Sequence, residues 1–351
     1  MSRVLVTGAT SAIGTALVRR LLSDPAYEVR VSEERPVPRW MREGCEVHAG
    51  DLRLLDQARR ATAGCTHVIH LAASAGTGAE ANLDTGTDAG RPHTLLEVNN
   101  ALHNAVIRAA LELEVERFAY VSSALVFERA TEFPTTEAHL PDCPTPRSAA
   151  GFSELAGEVQ CRAAHDEHGL QYTICRPFDP YGPDVVPARA VPTDETPAGA
   201  PATVPHAEPE IAEVVDDLIA QILCGRRPPR IHGSGEQTRT PTHVDDIADG
   251  IVTAIGSPRG RNEDFNIAAA RELTVAELAR IVWEACGEGP ADFALAPPSA
   301  GADSAVDVPR RRPSVEKARE LLGWQARIGV EDGIEATVES IRQRGSIGSL
   351  Q

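Results

Sequence analysis

The chain begins with a short apolar run, Arg3–Val6, then small and polar residues, then apolar positions at helical spacing over Ile13–Leu22. The alternation continues. Glu28–Ser32, Glu46–Ala49 and His67–Ala72 read as the second, third and fourth strands. A helix over Ala101–Leu113 precedes the run Arg117–Val121, and a helix over Phe152–His165 precedes Gln171–Cys175. Strands alternating with helices predict an α/β fold, a doubly wound parallel sheet with helices on both faces. After Pro183 the periodicity stops. Residues 184–210 are rich in proline and alanine and read equally well as a loop or lid over a cleft and as an exposed linker. Further on, helices are expected at Ile211–Leu223, Val275–Cys286, Val315–Leu322 and Val330–Arg342, with a strand-like DFNIA at 264–268.

At 351 residues the chain suits one large α/β unit or two interleaved domains, and its 42% apolar content supports a buried core. Its formal charge of −17 is spread along the chain, without a basic tract, which argues against a nucleic-acid partner. Seven cysteines, an odd number with no C-x-x-C pair, argue against a disulfide framework or a zinc site. No metal is expected. No stretch approaches the ~18 apolar residues of a membrane span, and Met1 leads directly into a strand pattern, so a soluble, cytoplasmic protein is expected. Of the 34 basic residues only Lys317 is a lysine.

The segment VLVTGATSAIG places Gly8, Ser11 and Gly14 between the first strand and its helix. Gly8 permits a tight turn, Gly14 lets helix and strand pack closely, and the amides at the helix start suit a pyrophosphate. Glu33 ends the second strand, where a carboxylate can accept both adenosine ribose hydroxyls and repel a 2′-phosphate. That favours NAD, while the adjacent Arg35 leaves NADP open.

With these residues the chain resembles the extended (atypical) short-chain dehydrogenase/reductases, in particular the NAD-dependent nucleotide-sugar epimerase/dehydratase branch. TGATSAIG stands for that family's T-G-x-x-G-x-I-G, with Ser11 in place of the middle glycine. Further matches follow in family order: GDL at 50–52, HLAA at 70–73, VNN at 98–100, VSSALVF at 121–127, RPFDPYGP at 176–183, GSGEQTR at 233–239 and VDDIA at 244–248. PSVEKARELLGW at 313–324 closes the series, with Ser314 replacing an aspartate. The resemblance implies a Rossmann-type domain over 1–178 plus about 240–268. A smaller, mostly C-terminal substrate domain would take about 179–239 plus 269–345. It implies NAD held by Gly8, Ser11, Ala12, Ile13, Gly14 and Glu33, with Asp51 and Leu52 on the adenine edge. Leu71, Ala72, Ala73, Asn99 and Pro177 would line the rest of the channel. It also implies a homodimer through the helices Ala101–Leu113 and Phe152–His165, and Asp179 and Arg239 as substrate contacts, the arginine gripping a phosphate.

The catalytic position departs from the family. A serine or threonine and a Tyr-x-x-x-Lys helix ordinarily remove the hydroxyl proton as hydride passes to NAD, the lysine lowering the tyrosine pKa. Ser123 matches the serine. The helix reads SAAGFSELAGE, which places Ala150 where tyrosine should stand and Glu154 where lysine should stand. No tyrosine lies between Tyr120 and Tyr172. One reading keeps redox-assisted chemistry with a substitute acid/base: Glu154 leads, ahead of Tyr181, Asp179, His243 and His206. A second is a non-catalytic NAD and nucleotide sensor or partner subunit, and a third is lyase chemistry at a site the cofactor only orders. Ala124 and Leu125 stand where dehydratases and decarboxylases carry carboxylates, which is closer to the epimerase pattern. The expected activity is an epimerase- or dehydratase-like reaction on a nucleotide sugar or related nucleoside, through transient oxidation of a sugar hydroxyl.

Overall fold

The computed structural model describes residues 2–34, 36–73, 92–183, 214–225, 228–287, 293–296 and 308–348. The expected lid at 184–210, His206 and Arg35 lie outside these residues. Seven parallel strands form one sheet. They are β1 (Ser2–Thr7), β2 (Tyr27–Glu33), β3 (Glu46–Ala49), β4 (His67–His70), β5 (Arg117–Val121), β6 (Tyr172–Pro177) and the edge strand Glu263–Ile267. From that edge inward the order is Glu263–Ile267, β6, β5, β4, β1, β2, β3. This is a doubly wound Rossmann-type sheet, reversing direction at β1 and β4. β5 and β6 are buried at every position, as strands covered on both faces must be.

Each face has its own core. On one, Leu17 and Leu21 of α1 (Ala12–Leu22) meet Ile247, Ile251 and Ile255 of the helix Val244–Gly256. On the other, α3 (Leu55–Thr62), α4 (Pro92–Glu112) and α5 (Ala149–His168) cover Leu5, Val68, Phe118 and Ile174. A third core gathers Tyr181, Leu218, Ile219, Leu278, Val282, Ile334 and Val338 away from the sheet. The C-terminal stretch divides between them: Ala318 and Trp324, expected with the smaller domain, pack into the first sheet core.

Several elements differ from expectation. The helices α2 (Arg39–Gly44), α3 and Val244–Gly256 were not foreseen, β4 ends at His70, and α4 starts at Pro92. Among the described residues no helix is long and apolar enough to cross a membrane, and no group of three or more His, Cys, Asp or Glu is placed to hold a metal.

The register matters most for the site. Thr7 of β1 stands beside His70 of β4, and His70 beside Tyr120 of β5. Three polar side chains thus line up across the carboxyl end of the sheet, where open α/β sheets bind ligands.

Candidate active site

The turn after β1 is shaped by close approach. Gly8 has φ +69°, and a Cβ there would lie 2.9 Å from the backbone nitrogen of Ala72. A Cβ on Gly14 would lie 2.3 Å from the Gly8 carbonyl, so neither position accepts a side chain. Ser11 sits at φ −66°, which any residue adopts, so glycine is not required. Its Oγ donates to the Gly8 carbonyl at 2.8 Å and accepts from the Gly14 amide at 3.0 Å, capping α1. The amides of Ala12 and Ile13 remain at the open first turn, where helices receive anions.

Glu33 reaches the same turn, its Oε1 accepting from the Thr10 amide at 2.6 Å. The Leu71–Ala73 segment closes the other side, with Ala72 N donating to Thr7 Oγ1 at 3.1 Å. Asp51 is gripped by Arg53 at 2.8 Å through two guanidinium nitrogens, and that bond holds its carboxyl below the usual range. Leu52, Asn99 and Pro177 are buried. An amide-lined turn that admits no side chain at Gly8 or Gly14, with a carboxylate beside it, fits the pyrophosphate and ribose of a dinucleotide.

Helix α5 starts on a cap by Ser148, whose Oγ accepts from the Gly151 amide at 3.0 Å. Ala150 and Glu154 follow one turn apart on the same face, so an inert methyl precedes the carboxyl. Tyr120 Oη donates to Glu154 Oε2 at 2.8 Å and also contacts His103 Nε2 at 3.2 Å. His103 Nδ1 lies 3.0 Å from His70 Nε2, and His70 Nδ1 lies 2.8 Å from Thr7 Oγ1. Gly157 makes the seat for the phenol: a Cβ there would lie 2.2 Å from Tyr120 Oη.

Thr7, His70, His103 and Tyr120 are all buried. Burial keeps both imidazoles neutral, His70 well below its ordinary range and His103 at about 4. Tyr120 is pushed well up by burial and by the Glu154 charge. Glu154 retains some open surface, yet protein surrounds the carboxyl on most sides, and the desolvation raises it to about 7. The Tyr120 hydrogen bond works against that rise, and the charge of Glu158 adds to it.

The other candidates do not gather around Glu154. Ser123 Oγ accepts from Leu125 N at 3.2 Å, capping the turn Ala124–Phe127, and makes no hydrogen bond to Glu154. Asp179 is buried at φ +40°, with one oxygen on Arg311 at 2.7 Å and the other on the Thr240 amide at 2.7 Å. Arg239 donates to the carbonyls of Thr238 and Val308 at 2.8 and 2.9 Å. His243 accepts from the Asp245 amide at 3.2 Å, capping its helix, and Tyr181 meets it edge-on at 5.3 Å. Burial lowers His243 and raises Tyr181, so both are held in their neutral forms by packing.

The residues that hold Glu154 were not foreseen. Thr7, His70 and Tyr120 sit in strands that read as apolar, and His103 sits in a helix. The available signal is the polar residue near the carboxyl end of three strands that become neighbours.

Comparison with known proteins bears on this site. A family model described as the NAD dependent epimerase/dehydratase family matches residues 4–268. The chain is 30% identical to a UDP-glucose 4-epimerase from Mycolicibacterium smegmatis over 223 residues, 64% of this chain and 61% of that enzyme, so it spans under two thirds of that relative's length. It is 26% identical to a dTDP-glucose 4,6-dehydratase from Actinoplanes over 98% of this chain and 99% of that one. The fold is similar to a crystal structure of UDP-glucose 4-epimerase with UDP-glucose from Thermotoga maritima. There the TM-score is 0.78 and the identity 25%, over 97% of this chain and 99% of the other.

Proposed function

Because the chain belongs to the NAD-dependent epimerase/dehydratase family, we propose that it modifies a nucleotide sugar, or a related nucleoside, through transient oxidation of a sugar hydroxyl with Glu154 as the acid/base. NAD is the cofactor of this family, and the turn at Gly8–Gly14 with Glu33 has the form to hold it. Bound there, NAD supplies the acceptor for the hydride of the carbinol carbon and later its donor. The chain's own part is the proton. Glu154 takes it as the substrate O–H bond breaks and returns it when the carbonyl is reduced, so the cycle has no net redox change.

One observation carries this reading: burial raises the Glu154 carboxyl to about 7, suited to both halves of that task, at a position where the resemblance implies the family's lysine. Ala150 cannot take part, and Ala124 and Leu125 offer no further carboxylate, which supports an epimerase over a dehydratase. In this reading the sheet unit holds NAD. The unit around Tyr181, Leu218 and Ile334 closes on the sugar nucleotide, with Arg239 on a phosphate.

The test is a panel of nucleotide sugars and nucleosides incubated with NAD in deuterated water, with Glu154→Gln alongside the wild type. Turnover is expected to fall on the order of 10²–10⁴-fold while NAD affinity barely changes. Full activity of the variant would move the base elsewhere. Tight nucleotide binding without any reaction would favour a sensor or partner subunit. We also propose a homodimer through α4 and α5, supported by exposed Phe152 and Val159 seven residues apart on α5 and Leu113 just beyond α4. Light scattering at micromolar concentration that gave only a 37.4 kDa monomer would exclude it.

A further inference from the structure

The buried line from Thr7 to Glu154 has hydrogens that can be placed by elimination. An ionised carboxylate only accepts, so the single hydrogen of Tyr120 goes to Glu154 Oε2. The phenol oxygen must then accept at its other contact, so His103 carries hydrogen on Nε2. A neutral imidazole has one N–H, so His103 Nδ1 accepts and His70 donates to it from Nε2. His70 Nδ1 is left to accept from the Thr7 hydroxyl, so every hydrogen points towards Glu154. The reverse order fails at Thr7. Its oxygen already accepts from Ala72 N and would also have to accept from His70, leaving the buried hydroxyl hydrogen with no acceptor among the described residues.

We propose that Thr7, His70, His103 and Tyr120 form a one-way relay of positioning residues that holds Oε2 of Glu154 as a permanent acceptor and confines proton exchange to its Oε1. The proposal rests on Glu154 being the base. Neutral Glu154 carries its proton on Oε1 and still accepts through Oε2, so the proton of the substrate hydroxyl is taken and returned without rearranging the buried line. The groups acting on the Glu154 charge are Tyr120 from β5 and Glu158 one turn along α5, while Glu158 and Cys161 face Tyr120. At its far end the relay meets Ala72 beside Gly8, tying the aim of the carboxyl to the turn that fits the cofactor.

The experiment uses the full chain with labelled histidine and glutamate. Nitrogen-15 NMR is expected to show His70 and His103 both as the Nε2–H tautomer between about pH 5.5 and 8. An Nδ1–H tautomer at either ring overturns the direction of the relay. The Glu154 titration is then followed by carboxyl carbon shifts, with Glu154→Gln identifying its signal. Tyr120→Phe is expected to raise the titration by about one pH unit, because a hydrogen bond to the charged form is lost. His103→Phe should move it the same way by less, because the phenol becomes a weaker donor. A merely structural role would change the melting temperature and leave the titration in place, and that result overturns the proposal. The two readings separate through turnover. If Glu154→Gln stays active, the base is elsewhere even with the titration shifts present. If Glu154→Gln is dead while Tyr120→Phe keeps the wild-type acid limb of its pH–rate profile, the relay fails and the base stands.

Discussion

Glu154 and Glu158 lie one turn apart on α5, and their surroundings drive them in opposite directions. Glu158 is fully buried and lies against Arg176 through two contacts of 2.7 Å, with Arg162 at 3.1 Å and the Ser122 hydroxyl at 2.8 Å. Burial alone would raise its carboxyl, but the charge and hydrogen bonds of Arg176 outweigh that and hold it below its ordinary value. Asp264 completes the network through Arg176 and Lys317, which overcome its burial and bring it to about 2. Among the described residues Glu154 has a phenol and no cation beside it, and burial prevails. The lesson is that burial sets no pKa by itself: a neutral donor leaves a carboxyl able to gain and lose a proton near neutrality, whereas a guanidinium fixes it as an anion.

The largest effect should come from breaking the charged half of the pair. Arg176→Met leaves Glu158 ionised in an apolar interior with only Arg162 and Ser122, and is expected to cost about 3 kcal/mol or more. Urea denaturation reads this as a lower midpoint at unchanged slope. Adding Glu158→Leu should recover much of the loss, because the stranded charge goes with it. A loss under about 1 kcal/mol for Arg176→Met would mean that the guanidinium is not what separates the two glutamates.

Local features of this contrast were legible in the sequence, and long-range ones were not. β3 and β5 have the bounds expected of them, and the turn at Gly8–Gly14 reads directly because its constraints lie within a few residues. Glu154 stood out because the resemblance of SAAGFSELAGE to the family's helix motif implies a lysine at its position. α3 was missed because its inward positions, Ala58, Ala61 and Thr62, are too small or polar to mark a helical stripe. The partners that separate the two glutamates come from other elements: Tyr120 lies 34 residues from Glu154, and Arg176 lies 18 from Glu158. Parallel pairing brings Thr7, His70 and Tyr120 side by side, and no local pattern carries that register. Asp179 and Arg239 show the converse, since motif position alone gave no hint of their ties to Arg311, Thr240, Thr238 and Val308.

The smaller effect tests the neutral half, and its sign follows from linkage. Glu154 titrates at about 7 in the fold against an ordinary value of 4.5, so between those values the native state binds more protons than the unfolded chain. Stability is therefore lost as pH rises through that window and stays low above it. Each pH unit is worth about 1.4 kcal/mol, and allowing for the open part of the carboxyl the whole penalty is about 2 kcal/mol. Glutamine cannot ionise, and its amide oxygen still accepts from Tyr120. Glu154→Gln should accordingly be more stable than the wild type by about 2 kcal/mol at pH 8, with the difference closing towards pH 5. Denaturation at intervals between those limits keeps clear of Asp264, whose depressed pKa contributes stability that is lost only as pH falls from about 4 towards 2. A difference that stayed constant from pH 5 to 8 would mean that Glu154 does not titrate there, and the two glutamates would not differ as described. If the difference opens as expected and the proposed loss of turnover accompanies it, one substitution strengthens the fold at the expense of activity, the trade expected where a destabilising group is kept for its chemistry.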